Sequence, residues 1–232
     1  MKTGANVIGF IGGVNFPLIN KFEAGFAAGV AQTNPDATVL VEYVTEPPDF
    51  DGFNAPDRGR EIALSMYEKG ADIIYQAAGG TGFGVFEAAK SHTEDSGSKV
   101  WAIGVDSDQY NVVDDSVKEY LLTSMMKNMD VSVFDVIKAQ GEDNFQSGAV
   151  MFNLSNDGVG YATSGGFVDD IAGDLDSLKA KVVSGAISVP EVPGERAVVL
   201  PDLGGRVVTF AWFLSTFPSP RDQGRSGMPS SG

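Results

Sequence analysis

Short apolar, β-rich runs alternate along this sequence with segments of helical period, and that alternation restricts the fold more than any other feature. Val7 to Gly13 (VIGFIGG) is an apolar run that ends in paired glycines. Pro17 to Gln32 follows with Leu18, Phe22, Phe26 and Val30 at the spacing of one helix face. A second unit joins Thr38 to Val44 (TVLVEYV) to a helix over Asp57 to Lys69, which Gly70 ends. The third runs from Asp72 to Ala78 through the turn GGTGFG into a helix reaching Lys90. Val100 to Val105 and Tyr120 to Ser124 supply two more strands, the second leading into a helix over Lys127 to Gln140. Strands separated by helices pair in parallel, so the pattern predicts a doubly wound α/β sheet. Ligands of such sheets sit beyond the carboxyl ends of the strands. Gly12 and Gly13, Gly79 to Gly84, and Asp106 to Gln109 all fall there, so three Gly-rich or polar turns converge on one place.

Downstream, Ala149 to Ala162 reads as a β-hairpin around Asn156-Asp157-Gly158, and Ile171 to Ser184 as a last amphipathic helix. After Pro193 the composition shifts. Residues 194–232 hold four Arg and no Lys, whereas the preceding residues hold ten Lys and two Arg. The tail ends PSPRDQGRSGMPSSG, a composition expected to pack poorly.

Charge and cysteine usage narrow the function. A net charge of −15 repels phosphate backbones and anionic membranes, so nucleic acid is not an expected partner. With no Cys, thiolate metal sites, disulfides and thiol nucleophiles are excluded. No apolar run approaches the ~20 residues of a membrane span, and MKTGANVIGF carries no export signal.

The chemistry-bearing residues point to binding, not catalysis. GGTGFG matches neither the dinucleotide fingerprint nor the P-loop, but it suits close backbone approach to a ligand, with helix amides as donors. The plain alternative is a tight strand-to-helix turn. His92 reads as a surface histidine, with no metal-binding or nucleophile motif to join. Asp106 and Asp108 suit hydrogen bonds from ligand hydroxyls or local turn capping. Phe50 and Phe53, in the loop PPDFDGFNAPDRG, are candidate stacking platforms or a cover over the sheet edge. Lys127, read at a helix start, sits where the helix dipole disfavours a cation, so an anionic or hydroxyl partner is expected.

Taken together, VIGFIGG, FEAGFAAGV, GADIIYQAAGGTGFGVFEAAK, IGVDSDQ and LLTSMMKNMDVSVFDVI resemble the basic membrane protein (BMP) family of ABC-transporter substrate-binding proteins, purine-nucleoside receptors among them. The resemblance covers residues 4 to 190. It implies a type I periplasmic-binding-protein-like fold, with two α/β lobes that close on a ligand and no enzymatic activity. It further implies that Phe53, just before NAPDRG, stacks on a nucleobase, and that the turn around Gly82 offers backbone contacts. Asp106 and Lys127 would bind ribose hydroxyls. The implied partners are a small-molecule ligand, a nucleoside, and a membrane ABC permease; no cofactor or metal is implied. The parent protein would be extracytoplasmic, periplasmic or anchored as a lipoprotein at the plasma membrane.

Measured against that family, the chain reads as truncated at its amino-terminal half. Residues 1–124 are expected to form one complete ligand-binding lobe. Residues 125–193 supply hinge crossings, return elements and a closing helix, with 125 to about 165 contributing to the other lobe. Residues 194–232 form an atypical tail. Two rival functions follow from other classes: a cytoplasmic ligand-sensing regulatory domain of the same fold, and a nucleoside-processing enzyme. The first would need a DNA-binding module and the second an acid-base pair or nucleophile.

Overall fold

A computed structural model of the chain describes residues 2–194 and the pair Val198–Val199. Five strands and the helices between them follow the sequence in order: β1 (Val7–Val14), α1 (Pro17–Thr33), β2 (Thr38–Thr45), α2 (Pro56–Glu68), β3 (Ile73–Ala77), α3 (Gly82–Ser96), β4 (Trp101–Gly104), the single-turn α4 (Asp115–Lys118) and β5 (Leu121–Lys127). All four pairings among these five strands are parallel. A sixth strand, β6 (Val159–Tyr161), completes the sheet antiparallel to β5, giving the order β2-β1-β3-β4-β5-β6. The chain leaves β1 for β2 on one side and then returns past β1 to β3 on the other. The strand order therefore reverses between β1 and β3, where open α/β sheets form their binding crevice.

Alternate residues of each strand face opposite layers, and both faces are covered. Ile11 and Ile74 point to the layer of α2 and α3, where they pack with Ala63, Met66, Val85 and Phe86. Phe10 and Tyr75 point the other way, to Ile19 and Phe22 of α1. Ile8, Ile73 and Leu122 meet Val30 and, further along, Leu175 of α6 (Ala172–Val183). A strand buried on both faces reads as a continuous apolar run, which is why VIGFIGG and DIIYQAA were legible as strands. Pro at N1 pre-sets the first turn of both α1 and α2.

Several elements differ from their expected form. The helix α3 runs to Ser96, past the expected end at Lys90, with Gly97 in the left-handed conformation (φ 70°) closing it. Its last turn, HTEDS, is polar, with Glu94, Asp95 and Ser96 facing solvent, so the apolar period gave no sign of it. Lys127 ends β5 instead of starting a helix. Pairing of Met125–Lys127 with β6 carries the strand three residues past the expected lobe boundary at 124, and the next helix, α5, spans Met129–Gly141.

The expected hairpin over 149–162 does not form; only its second arm is a strand, and its partner is β5. Asn153 accepts from the Ser155 amide (2.8 Å) and Asn156 accepts from the Asn153 amide (2.7 Å), local bonds that compete with a strand ladder. Asp157 then takes φ 54°. Val198–Val199 (β8) pair antiparallel with β7 (Ile187–Ser188), apart from the main sheet. The packing expected of the rest of the tail lies outside the described residues. Among the described residues, no helix is long and apolar enough to cross a membrane.

Candidate functional site at the carboxyl edge of the sheet

At the switch point, two glycine turns and an aromatic loop meet. The ring of Phe53 lies over Gly13, so closely that a Cβ there would come within 2.4 Å of it. On its other side Phe53 approaches Gly79, whose φ of 56° is a conformation that glycine adopts without strain. Phe16, at the start of α1, meets Phe53 edge-on at 6.2 Å and Phe50 at 5.6 Å. Phe53 is half-buried and Phe50 is exposed. The aromatic loop is tied down from two sides. Thr81 donates to the Gly52 carbonyl (2.6 Å) and accepts from the Ala55 amide (2.8 Å), while Thr45 donates to the Asp49 carbonyl (2.6 Å).

Gly82 is the first residue of α3 and is buried against the side chain of Gln76, which a Cβ would meet at 2.3 Å. The turn therefore sits directly on the end of β3.

After β4 the chain turns at Asp106, which adopts φ 69°, an uncommon conformation for a non-glycine residue. Its carboxylate pairs with the Lys127 ammonium at 2.7 Å, and its carbonyl accepts from the Lys127 amide at 2.9 Å. Lys127 therefore has an anionic partner within the chain, at a strand end and not at the helix start where the sequence placed it. The lysine is largely covered (20 % side-chain exposure) and lies 5.0 Å from the Phe22 ring centre, whereas Asp106 stays half in solvent (54 %). Burial raises the Tyr75 phenol well above its ordinary value, and the nearby charge of Asp106 adds to the shift. That phenol stays neutral and protonated at any physiological pH.

The other candidates take structural roles. Asp108 accepts from the Asn111 side-chain amide (2.7 Å) and from the Ser164 hydroxyl, so it caps its own turn and ties it to the 163–166 loop. His92 is half-buried and stacks on Tyr67 (5.4 Å, 30°), so it is less exposed than expected. A hollow of about 530 Å³ opens between α1 and α6, lined by Phe22, Phe26, Tyr75, Met125, Tyr161 and Leu175 among others. Phe53, Gly82, Asp106 and Lys127 do not line it; they belong to the carboxyl edge.

The structure thus brings Phe53 onto the glycine turns and Asp106 onto Lys127, with both pairs on the same edge of the sheet. Sequence reasoning missed Phe16 and Gln76, and placed Thr81 and Gln109 in the converging turns without giving either a role. The available signal was a polar residue inside an otherwise apolar strand, such as Gln76 in IIYQAA.

A doubly wound sheet with glycine turns at its switch point and a charged pair further along the same edge is periplasmic-binding-protein-like, the architecture of ABC solute-binding proteins. The chain belongs to the Bmp family, described as "ABC transporter substrate-binding protein PnrA-like", whose model matches residues 1–192. It is 39% identical over 201 residues to the CD4+ T-cell-stimulating antigen of Listeria monocytogenes, covering 83% of this chain and 55% of that protein. It is 33% identical over 196 residues to the ABC transporter nucleoside-binding protein BmpA of Lactococcus lactis, covering 81% and 54%. Among solved structures, an ABC transporter solute-binding protein from Conexibacter woesei superposes with a TM-score of 0.65 at 21% identity, over 81% of this chain and 58% of that one. The chain spans about half the length of the curated relatives it matches.

Proposed function

We propose that this chain supplies one wall of the nucleoside-binding cleft of an ABC importer's solute-binding protein, and that it makes and breaks no covalent bond. The observation that carries the reading is the carboxyl edge, where an aromatic ring fixed over glycine turns shares one rim with a half-exposed carboxylate braced by a lysine. Phe53 would stack on the base. The turn at Gly82 would offer backbone contacts, and Asp106 would accept from the ribose hydroxyls as a charge-assisted acceptor. Lys127 would hold Asp106 in place and donate to the same sugar. A nucleoside suits this set because it joins a flat apolar face to a vicinal diol. The nucleoside-binding relative from Lactococcus lactis supports the same choice.

In this reading the opposite wall belongs to a second lobe, and closure of the two presents a form that a membrane permease recognises. The parent protein works outside the cytoplasm, as a periplasmic protein or an anchored lipoprotein. Residues 1–124 form the ligand-binding lobe and 125 to about 165 contribute to the other. The exposed apolar face of α5 supports that division: Phe134 and Ile137 are 64% and 66% exposed. Calorimetry tests the assignment on a chain of full family length. Phe53→Ala should weaken purine-nucleoside binding by about 1–3 kcal/mol, the scale of base stacking on an aromatic. Unchanged affinity would remove Phe53 from the site.

A further inference from the structure

Beneath the proposed ligand wall lies a buried polar network that spans the ends of three neighbouring strands. Gln76 on β3, Gln109 after β4 and Ser124 on β5 are 0%, 6% and 1% exposed. Gln109 Oε1 accepts twice, from Gln76 Nε2 at 2.9 Å and from the Val105 amide at 2.7 Å. The Gln109 backbone N–H donates to Ser124 Oγ at 3.2 Å, and Gln76 Oε1 accepts from the Ala78 backbone N–H at 3.0 Å. Each bond ends next to something on the rim. Val105 directly precedes Asp106, Ala78 directly precedes the glycine turn, and Ser124 lies three residues before Lys127 on the same strand.

The backbone is shaped to admit these side chains. A Cβ at Gly104 would come within 2.5 Å of Gln109 Oε1 and Ser124 Oγ, and one at Gly82 within 2.3 Å of Gln76. Buried polar groups are costly unless paired, so a network in this position holds its partners in one arrangement. An apolar core would close the same gap without fixing the backbone turn at Asp106, which takes φ 69° against its ordinary preference.

We propose that Gln109 is a positioning residue: through its side-chain bonds to Gln76 and to the Val105 N–H it fixes the Asp106–Lys127 pair against the glycine turn that opens α3. Its role in ligand recognition rests on the reading of that pair as ribose contacts, and the test separates the two. Gln109→Leu removes both acceptor bonds. Gln109→Glu keeps an acceptor oxygen for Gln76 and Val105, so it should rescue positioning whatever it does to overall stability.

In the 232-residue chain, hydrogen exchange should show the Lys127 amide, which bonds the Asp106 carbonyl, losing protection by roughly tenfold or more in Gln109→Leu, as expected for one lost buried bond. Amides of β1 should lose less, and Gln109→Glu should restore the Lys127 value. A uniform loss across the sheet, or no loss at Lys127, would overturn the proposal. In a chain of full family length, Gln109→Leu should also reduce the preference for inosine over 2′,3′-dideoxyinosine by a similar factor. If local protection responds as expected while neither variant nor parent distinguishes the two sugars, Gln109 still positions the pair, and it is the ribose assignment that fails.

Discussion

The helices α1 and α5 both follow a strand of the main sheet, both carry apolar residues at helical spacing, and they end in opposite states. The first buries Ile19, Phe22, Ala24, Ala28 and Val30 against the sheet. The second buries nothing, and leaves Met129, Val133, Phe134, Val136 and Ile137 exposed. Met129, Val133 and Ile137 lie four residues apart, so the stripe has the form of a buried face without the burial. An amphipathic pattern records that a face is to be covered, not what covers it. For α1 the cover is the sheet of this chain. For α5, in the reading proposed above, it is the other lobe.

The largest effect that can break this comparison is a pair of truncations followed by urea unfolding of the 232-residue chain. Phe10→Ala, at a fully buried position in the α1 layer, should cost about 3–5 kcal/mol. Phe134→Ala on α5 should fall within about 0.5 kcal/mol of the parent. Equal losses would mean that α5 is covered in solution.

A sharper version exchanges the apolar stripe for charge. Val133→Lys with Ile137→Lys should leave the 232-residue chain as stable as before and lower its tendency to self-associate in sedimentation. In a chain of full family length the same pair should cost about 3 kcal/mol or more, since two aliphatic side chains would lose a buried environment. No loss in the longer chain would detach α5 from any second lobe.

A smaller effect is expected at the rim. Gly82→Ala places a methyl group against Gln76 and should cost about 1–3 kcal/mol by overpacking, read as a lower thermal midpoint. An unchanged midpoint would show that the start of α3 shifts freely on the sheet.

The smallest effect concerns pH. Lys2 donates to Asp170 at 2.6 Å and holds that carboxyl below its ordinary value. A carboxyl whose folded pKa is depressed adds stability above its unfolded value, near pH 4, and loses it as pH falls through the folded one. Asp170 lies at the surface, where solvent screens the pair, so Asp170→Asn should flatten the acid limb of a stability–pH curve only slightly. A large change would give this pair more weight than its exposure allows.

The same contrast explains what the sequence made legible. Strands buried on both faces stand out as apolar runs, and β1 and β3 were found within a residue or two for that reason, whereas the edge strand β2 was legible from its β-rich composition. Glycines at strand ends marked the rim, and Asp106 was legible there because it follows an apolar strand, whereas Lys127 was read at a helix start and joined Asp106 only through the family resemblance. The lost features depend on partners distant in sequence. Pairing with β6 makes Lys127 a strand residue, and nothing local to TSMMKN announces it. The exception is local: Asn156 accepts from the Asn153 amide and Asn153 from the Ser155 amide, bonds that displace the expected hairpin arm. Gln76 and Gln109 are 33 residues apart, and their bond exists only once β3 and β4 are side by side.

The central claim is that this chain forms one wall of a nucleoside cleft, and the most direct test compares it with a chain of full family length by calorimetry. Inosine, guanosine and adenosine should be titrated into both. A cleft closes on its ligand from two sides, and a single wall leaves much of the nucleoside in water. The longer chain should therefore bind at least one purine nucleoside, and the 232-residue chain should bind it far more weakly. Equal, tight binding by the 232-residue chain, or no response of the longer chain to any of the three, would contradict the account.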